Sequence, residues 1–176
     1  MKTVIGNVRP LGGDAVDIEI TDGVITQIAK ANSLNADIDA KGLIALPGLV
    51  DLHTHLREPG REDSETVATG TLAAARGGFT AVHAMANTTP VADTAGVVEQ
   101  IYRLGQEAGN CDVFPVGAVT QGLNGSALSE LGAMADSAAR VRVFSDDGKC
   151  VHDPVLMRRA LEYVKAFDGC IAQHAQ

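Results

Sequence analysis

The sequence predicts an α/β protein: about the first five units of a (β/α)8 TIM barrel, preceded by a small N-terminal β-sandwich segment. Three observations carry this. Up to about residue 47 apolar residues recur at every second position in short runs, the period of a half-exposed strand. After Pro47, extended apolar runs alternate with Ala- and Leu-rich helical stretches across short connections, the pattern of a parallel sheet with right-handed crossovers. No glycine-rich dinucleotide fingerprint follows the first of these strands, which counts against a doubly wound open sheet.

Residues 1–47 make the N-terminal segment. Asp17-Ile18-Glu19-Ile20 alternates polar and apolar, Thr21-Asp22-Gly23 turns the chain, and Val24-Ile25-Thr26-Gln27-Ile28 alternates again, so a hairpin is expected. Gly42-Leu43-Ile44-Ala45-Leu46 is a further extended run, closed by Pro47-Gly48. Residues 48–176 make the barrel part. Strands are expected at 48–53, 79–85, 112–116, 141–144 and 170–173, and helices at about 64–76, 94–109, 127–139 and 153–166. Gly77-Gly78 is a helix stop, and Asp153-Pro154 fits the cap and first position of the last helix. The strand at 79–85, which contains His83, is expected to be buried on both faces.

A complete barrel takes roughly 250 residues. Only 129 (176 − 47) follow the N-terminal segment, so the chain reads as the N-terminal part of a longer enzyme. Its fifth strand would offer an unpaired edge, and the segment alone is not expected to be a stable catalyst.

Composition narrows the function classes. The chain is 45% hydrophobic and 20% charged with a net charge of −8, so it lacks the basic surface that nucleic-acid binding requires. The three cysteines, Cys111, Cys150 and Cys170, are far apart and odd in number, and are expected as buried or half-buried thiols. There is no signal-peptide core at the N-terminus and no apolar run of membrane-spanning length, so the expected compartment is the cytoplasm.

Chemistry concentrates after the first barrel strand, in Asp51-Leu52-His53-Thr54-His55-Leu56-Arg57-Glu58-Pro59-Gly60. Residues two apart on a strand point the same way, so His53 and His55 can converge on one ion, with Asp51 on that face to orient or assist them. Imidazole is a common ligand for zinc and related metals, and barrel enzymes keep their active sites at the C-terminal ends of the strands.

The stretch Pro47–Gly60 resembles the signature of the cyclic amidohydrolases within the amidohydrolase superfamily, and most of all dihydroorotases of the long, bacterial type. Met85-Ala86-Asn87-Thr88-Thr89-Pro90, Phe144-Ser145-Asp146-Asp147-Gly148 and Gln173-His174-Ala175 agree with that family in the same order. Two departures are Ala86, where proline is more usual, and Ala175-Gln176 after the histidine; neither removes a ligand.

The resemblance implies a metal-dependent reversible hydrolysis of a cyclic amide, dihydroorotate opening to N-carbamoyl-aspartate in pyrimidine biosynthesis. It implies zinc, one or two ions and more in keeping with two: His53 and His55 on the first metal, Asp147 bridging, and His174 on the second. Arg57 and Asn87 would hold the substrate carboxylate, the former through its planar fork. The family's general base is an Asp with a further His ligand beyond Gln176, so no catalytic base is expected within this chain. A homodimer and a docked aspartate transcarbamoylase are implied only as partners of the family. Two alternatives are a hydantoinase, dihydropyrimidinase or allantoinase, and a noncatalytic dihydroorotase-like subunit of aspartate transcarbamoylase. The first would need Lys149 as a carboxylated bridging ligand; the second accords poorly with a retained ligand set.

Four neighbours are expected to stay outside the chemistry. Asp146 faces away from Asp147 as a supporting or solvent-facing group, Lys149 is a solvated lysine, His83 is a satisfied core histidine, and His152 is exposed.

Overall fold

The computed structural model describes residues 1–175 and divides into two compact units, Met1–Pro47 and Gly48–Gln176. In the first, β1 (Lys2–Pro10), β2 (Val16–Thr21) and β3 (Val24–Lys30) form an antiparallel meander. The hairpin expected from the alternation is the β2–β3 pair, in which Thr21 partners Val24. Two short strands, β4 (Ile38–Asp39) and β5 (Ile44–Ala45), run parallel to β1 and complete one five-stranded sheet. The extended run expected over 42–46 pairs only at two residues, because Lys41 and Gly42 both take positive φ and turn the chain just before it. Val8, Ile18 and Ala40 form the buried centre.

The buried Asp17 ties this unit together. Its carboxylate accepts backbone N–H groups from Asn7, Asn32, Ser33 and Leu34 at 2.9–3.2 Å. These bonds, that from Leu34 foremost and then that from Asn7, hold its carboxyl below the usual range against the opposing effect of burial.

In the second unit, strands β6 (Leu49–Thr54), β7 (Phe79–Ala84), β8 (Asp112–Pro115), β9 (Val143–Phe144) and β10 (Cys170–Ile171) follow one another in chain order. β6, β7 and β8 pair in parallel, as do β9 and β10. Gly117 links the two groups: it bridges to Phe144, donates to the Val143 carbonyl and accepts from the Ser145 N–H. A Cβ at Gly117 would meet Phe144 and Met134 within 3.0 Å, so the link requires glycine. Five successive parallel strands bring their C-terminal ends to one edge.

Helices α1 (Val67–Arg76), α2 (Ala95–Ala108), α3 (Leu131–Asp136) and α4 (Pro154–Val164) connect them. α1 begins three residues later than expected, where Thr66 and Thr69 form a reciprocal capping box. Before it, turns from Arg61 to Glu65 take up the backbone groups. α2 ends at Gly109 in the left-handed conformation, and Asp153 caps α4 by accepting from the N–H groups of Val155 and Leu156. Val98, Ile101 and Gly105 on α2, and Leu156, Ala160 and Val164 on α4, are buried at helical spacing. They pack into one core with Val82, Ala84 and Val113 of the sheet, where each fully buried Val contributes roughly 1.5–3 kcal/mol.

Several expectations are corrected. The helix expected over 127–139 is only Leu131–Asp136, because residues 127–129 pair with the chain after β8. Thr120 bridges Leu128, and Ser129 donates its hydroxyl to the Ala118 carbonyl. Unlike the His83 strand, for which burial on both faces is expected, β6 lies at an edge of its sheet, and its Leu49, Val50 and Leu52 are 47%, 52% and 67% exposed. His83 is half-buried and stacks on Phe114, yet its Nδ1 has no hydrogen-bond partner among the described residues, so it is not a satisfied histidine. Cys170 is exposed rather than buried, whereas burial pushes the Cys111 thiol up. No described helix is long and apolar enough to cross a membrane.

Candidate metal centre

The site is assembled from the C-terminal ends of the parallel strands. His53 lies within β6 and His55 just past it, while Asn87, Asp147 and His174 each lie three residues beyond the ends of β7, β9 and β10. In-register parallel pairing places these positions side by side even though 121 residues (174 − 53) separate the outermost two.

Asp147 is the hub. It is 5% exposed, and its Oδ1 lies 3.2 Å from His53 Nε2 and 3.2 Å from His174 Nδ1. Its Oδ2 lies 3.4 Å from His55 Nε2 and accepts from Asn87 Nδ2 at 3.1 Å. The other end of the Asn87 amide meets His55 Nδ1 at 2.9 Å. The two β6-end imidazoles pack edge to face with ring centres 5.1 Å apart. Gly148, at φ +81°, turns the chain immediately after Asp147, a left-handed step that a side chain would strain.

The residues around this hub keep it in place. Asp146 is 1% exposed and fully engaged: it accepts the N–H groups of Val119 and Thr120 at 2.8 and 3.0 Å and the Thr120 hydroxyl. The expectation that the two aspartates face opposite ways holds, but Asp146 is turned into the protein rather than toward solvent. Asp51, expected on that face to orient or assist the imidazoles, bonds the backbone instead, accepting the His53 N–H at 3.0 Å. Thr54 donates its hydroxyl to the His83 carbonyl at 2.9 Å, joining the His-x-His segment to β7.

Arg57 is exposed and has a positive φ of 62°; among the described residues no hydrogen bond or ion pair engages its guanidinium. A non-glycine residue held there stores roughly 1–3 kcal/mol of strain. Its neighbours anchor it. Leu56 is buried, and Glu58 accepts the N–H of Val67 at 2.7 Å, placing a carboxylate at the positive N-terminus of α1. Sequence reasoning missed this role of Glu58, as it missed the clamp made by Asp146. A Glu nine residues before a helix start carries no local signal of capping. Lys149 and His152 are exposed, and the His152 ring lies 3.2 Å from Cys150 Sγ, away from the hub residues.

The donor set fits a metal of the zinc class. Donor atoms of His53, His55 and Asp147 all lie within 4.8 Å of one another. Donors around a tetrahedral ion with bonds of about 2.1 Å lie roughly 3.4 Å apart, close to the 3.2 and 3.4 Å found from Asp147 to these two rings. Two nitrogens and a carboxylate oxygen, with two oxygens on the hub, suit borderline divalent cations. His174 lies outside that three-residue group, with its Nδ1 3.2 Å from the same Oδ1 that His53 approaches.

The sequence profile of the dihydro-orotase-like family matches residues 42–176. The chain is 66% identical over 179 residues to a dihydroorotase of Streptomyces coelicolor, covering 99% of this chain and 41% of that protein. It is 78% identical over 139 residues to the dihydroorotase of Leifsonia xyli, covering 79% of this chain and 32% of that one. It thus spans about two fifths or less of the length of these relatives. Among solved structures, an L-hydantoinase (dihydropyrimidinase) from Arthrobacter aurescens shares the fold, with a TM-score of 0.77 at 21% identity over 99% of this chain and 40% of that one. With a family profile matching most of its length and its residues converging at one sheet edge, the chain belongs to the dihydro-orotase-like family.

Proposed function

We propose that the chain is the metal-binding portion of a dihydroorotase, an enzyme that interconverts dihydroorotate and N-carbamoyl-aspartate in the cytoplasm as a step of pyrimidine biosynthesis. The observation that carries this reading is the three-imidazole, one-carboxylate hub around Asp147. The five parallel strands, in this reading, are the first part of a (β/α)8 barrel whose remaining strands bring the general base.

A pair of zinc ions at this hub would supply acidification of water and polarisation of the scissile carbonyl. His53 and His55 would hold one ion and His174 the other, with the Asp147 carboxylate within reach of all three rings. Arg57, whose guanidinium has no protein partner among the described residues, is free to pair bidentately with a substrate carboxylate. Asn87 has one amide hydrogen and one oxygen lone pair left beyond its bonds to Asp147 and His55, and the hydrogen can go to the same carboxylate. Together they would fix the ring so that its amide carbonyl faces the metals rather than solvent.

The test is cyclisation of N-carbamoyl-aspartate by the full-length protein, purified and loaded with zinc. Ring formation that depends on added zinc and is lost with a chelator is expected. Turnover of hydantoin in place of N-carbamoyl-aspartate, or no turnover of either, overturns the reading.

A further inference from the structure

We infer that Asn87 is a positioning residue that selects which nitrogen of His55 is offered to the metal; the inference rests on the metal-site reading above. The argument runs through hydrogen-bond polarity. Asp147, as a carboxylate, has only acceptors, so the amide atom facing its Oδ2 at 3.1 Å is the NH2 group. The Asn87 oxygen is thereby turned toward His55 Nδ1 at 2.9 Å, and an oxygen can only accept. Nδ1 of His55 therefore carries the ring hydrogen, and the lone pair of the neutral ring sits on Nε2.

Nε2 lies 3.4 Å from Asp147 Oδ2. Two acceptors at this distance repel unless a positive charge lies between them, so Asn87 holds open a gap shaped for a cation. Without it, His55 is free to carry its hydrogen on Nε2 and donate directly to Asp147. The gap would close on a hydrogen bond that a metal must then break. Asn87 comes from the loop after β7 and touches residues 32 and 60 positions away, so one amide couples three strand ends. Partners of this kind, one bond removed from the metal, are worth about 10–100-fold in metal affinity.

The experiment compares the full-length protein with Asn87→Leu and Asn87→Asp. In the metal-free protein, long-range proton–nitrogen correlation spectra of the histidine rings read the tautomer directly. His55 is expected as the Nδ1–H form in the parent and in Asn87→Asp, whose carboxylate still accepts from Nδ1. It should move toward the Nε2–H form in Asn87→Leu. Competition with a chromophoric chelator should show zinc held about 10–100-fold more weakly by Asn87→Leu. An Asn87→Leu variant whose His55 spectrum and zinc affinity match the parent overturns the inference. Should Asn87→Leu fail to fold, a metal-free parent whose His55 is in the Nε2–H form overturns it instead. A parent that binds no zinc would refute the metal-site reading, while the tautomer spectra would still decide the role of Asn87. A residue acting only on substrate would raise KM and leave both readouts unmoved.

Discussion

The two units of the molecule each bury aspartate, and they do so by different means. In the N-terminal sheet Asp17 is 1% exposed and is satisfied by four backbone N–H groups. In the parallel-sheet unit Asp146 is equally buried and likewise bonded to backbone N–H groups, with a hydroxyl added. Its neighbour Asp147 is also buried, yet among the described residues it meets three imidazoles and one side-chain amide and no backbone donor. Burying a carboxylate is costly unless it is hydrogen-bonded or paired. Backbone donors are permanent features of a fold, so Asp17 and Asp146 are stabilised whatever is bound. In the proposed reading the three imidazoles beside Asp147 are metal ligands, and a cation would complete its environment. In that reading the difference separates carboxylates that hold loops together from the one placed to bind metal.

Four measurements would break or sharpen that contrast. Replacing Asp147 by Ala should lower zinc affinity by more than about a hundredfold, beyond what loss of an outer partner costs. It should leave the far-ultraviolet circular dichroism of the metal-free protein unchanged. Zinc content after dialysis checks the first point, and a collapse of the metal-free fold would erase the distinction from Asp146. Asp146→Ala should instead act on stability. It strands the buried N–H groups of Val119 and Thr120, a loss of about 3 kcal/mol readable as a shift in the urea midpoint.

Asp17 predicts a pH dependence. Its folded-state carboxyl is held below the ordinary value of 3.8, chiefly by the N–H of Leu34 and then that of Asn7. Its contribution to stability is therefore fully present above that value, and it is lost as pH falls through the lower folded value. Asp17→Asn should flatten this acid limb, seen by comparing urea midpoints of parent and variant above and below about pH 4; an unchanged limb would remove Asp17 from the account. The smallest effect is expected at Thr66→Ala, which removes the capping box of α1 at about 1 kcal/mol. A thermal shift in that range with metal binding intact would confirm that the helix supports the site without belonging to it.

Much of this arrangement is legible along the chain. The ends of α1 and α4, at Gly77-Gly78 and Asp153-Pro154, stand where residue type alone puts them, because the left-handed φ of +87° at Gly78 favours glycine and free helix N–H groups favour a short carboxylate. The hairpin of β2 and β3 follows from period-2 alternation around Asp22-Gly23. The helix expected over 127–139 fails for the opposite reason: its first residues are suited to a helix locally, but bonds from Ala127, Leu128 and Ser129 to the chain after β8 claim them. His83 sits in a strand whose apolar run suggests burial on both faces, and only the observed stacking on Phe114 and its orphaned Nδ1 reveal otherwise.

For the site, the sequence by itself determined the chemistry available: the His-x-His at a strand end, the paired aspartates, the later Asn and His, and the order in which they recur. Two residues two apart on a strand share a face, so the convergence of His53 and His55 is a local property. Only the tertiary structure decided that Asp146 turns inward to hold the neighbouring loop, and that Asn87 joins His55 to Asp147. Those choices depend on hydrogen bonds between segments 26 to 60 residues apart. The register of one strand against the next sets them, and no periodicity within a single segment records it.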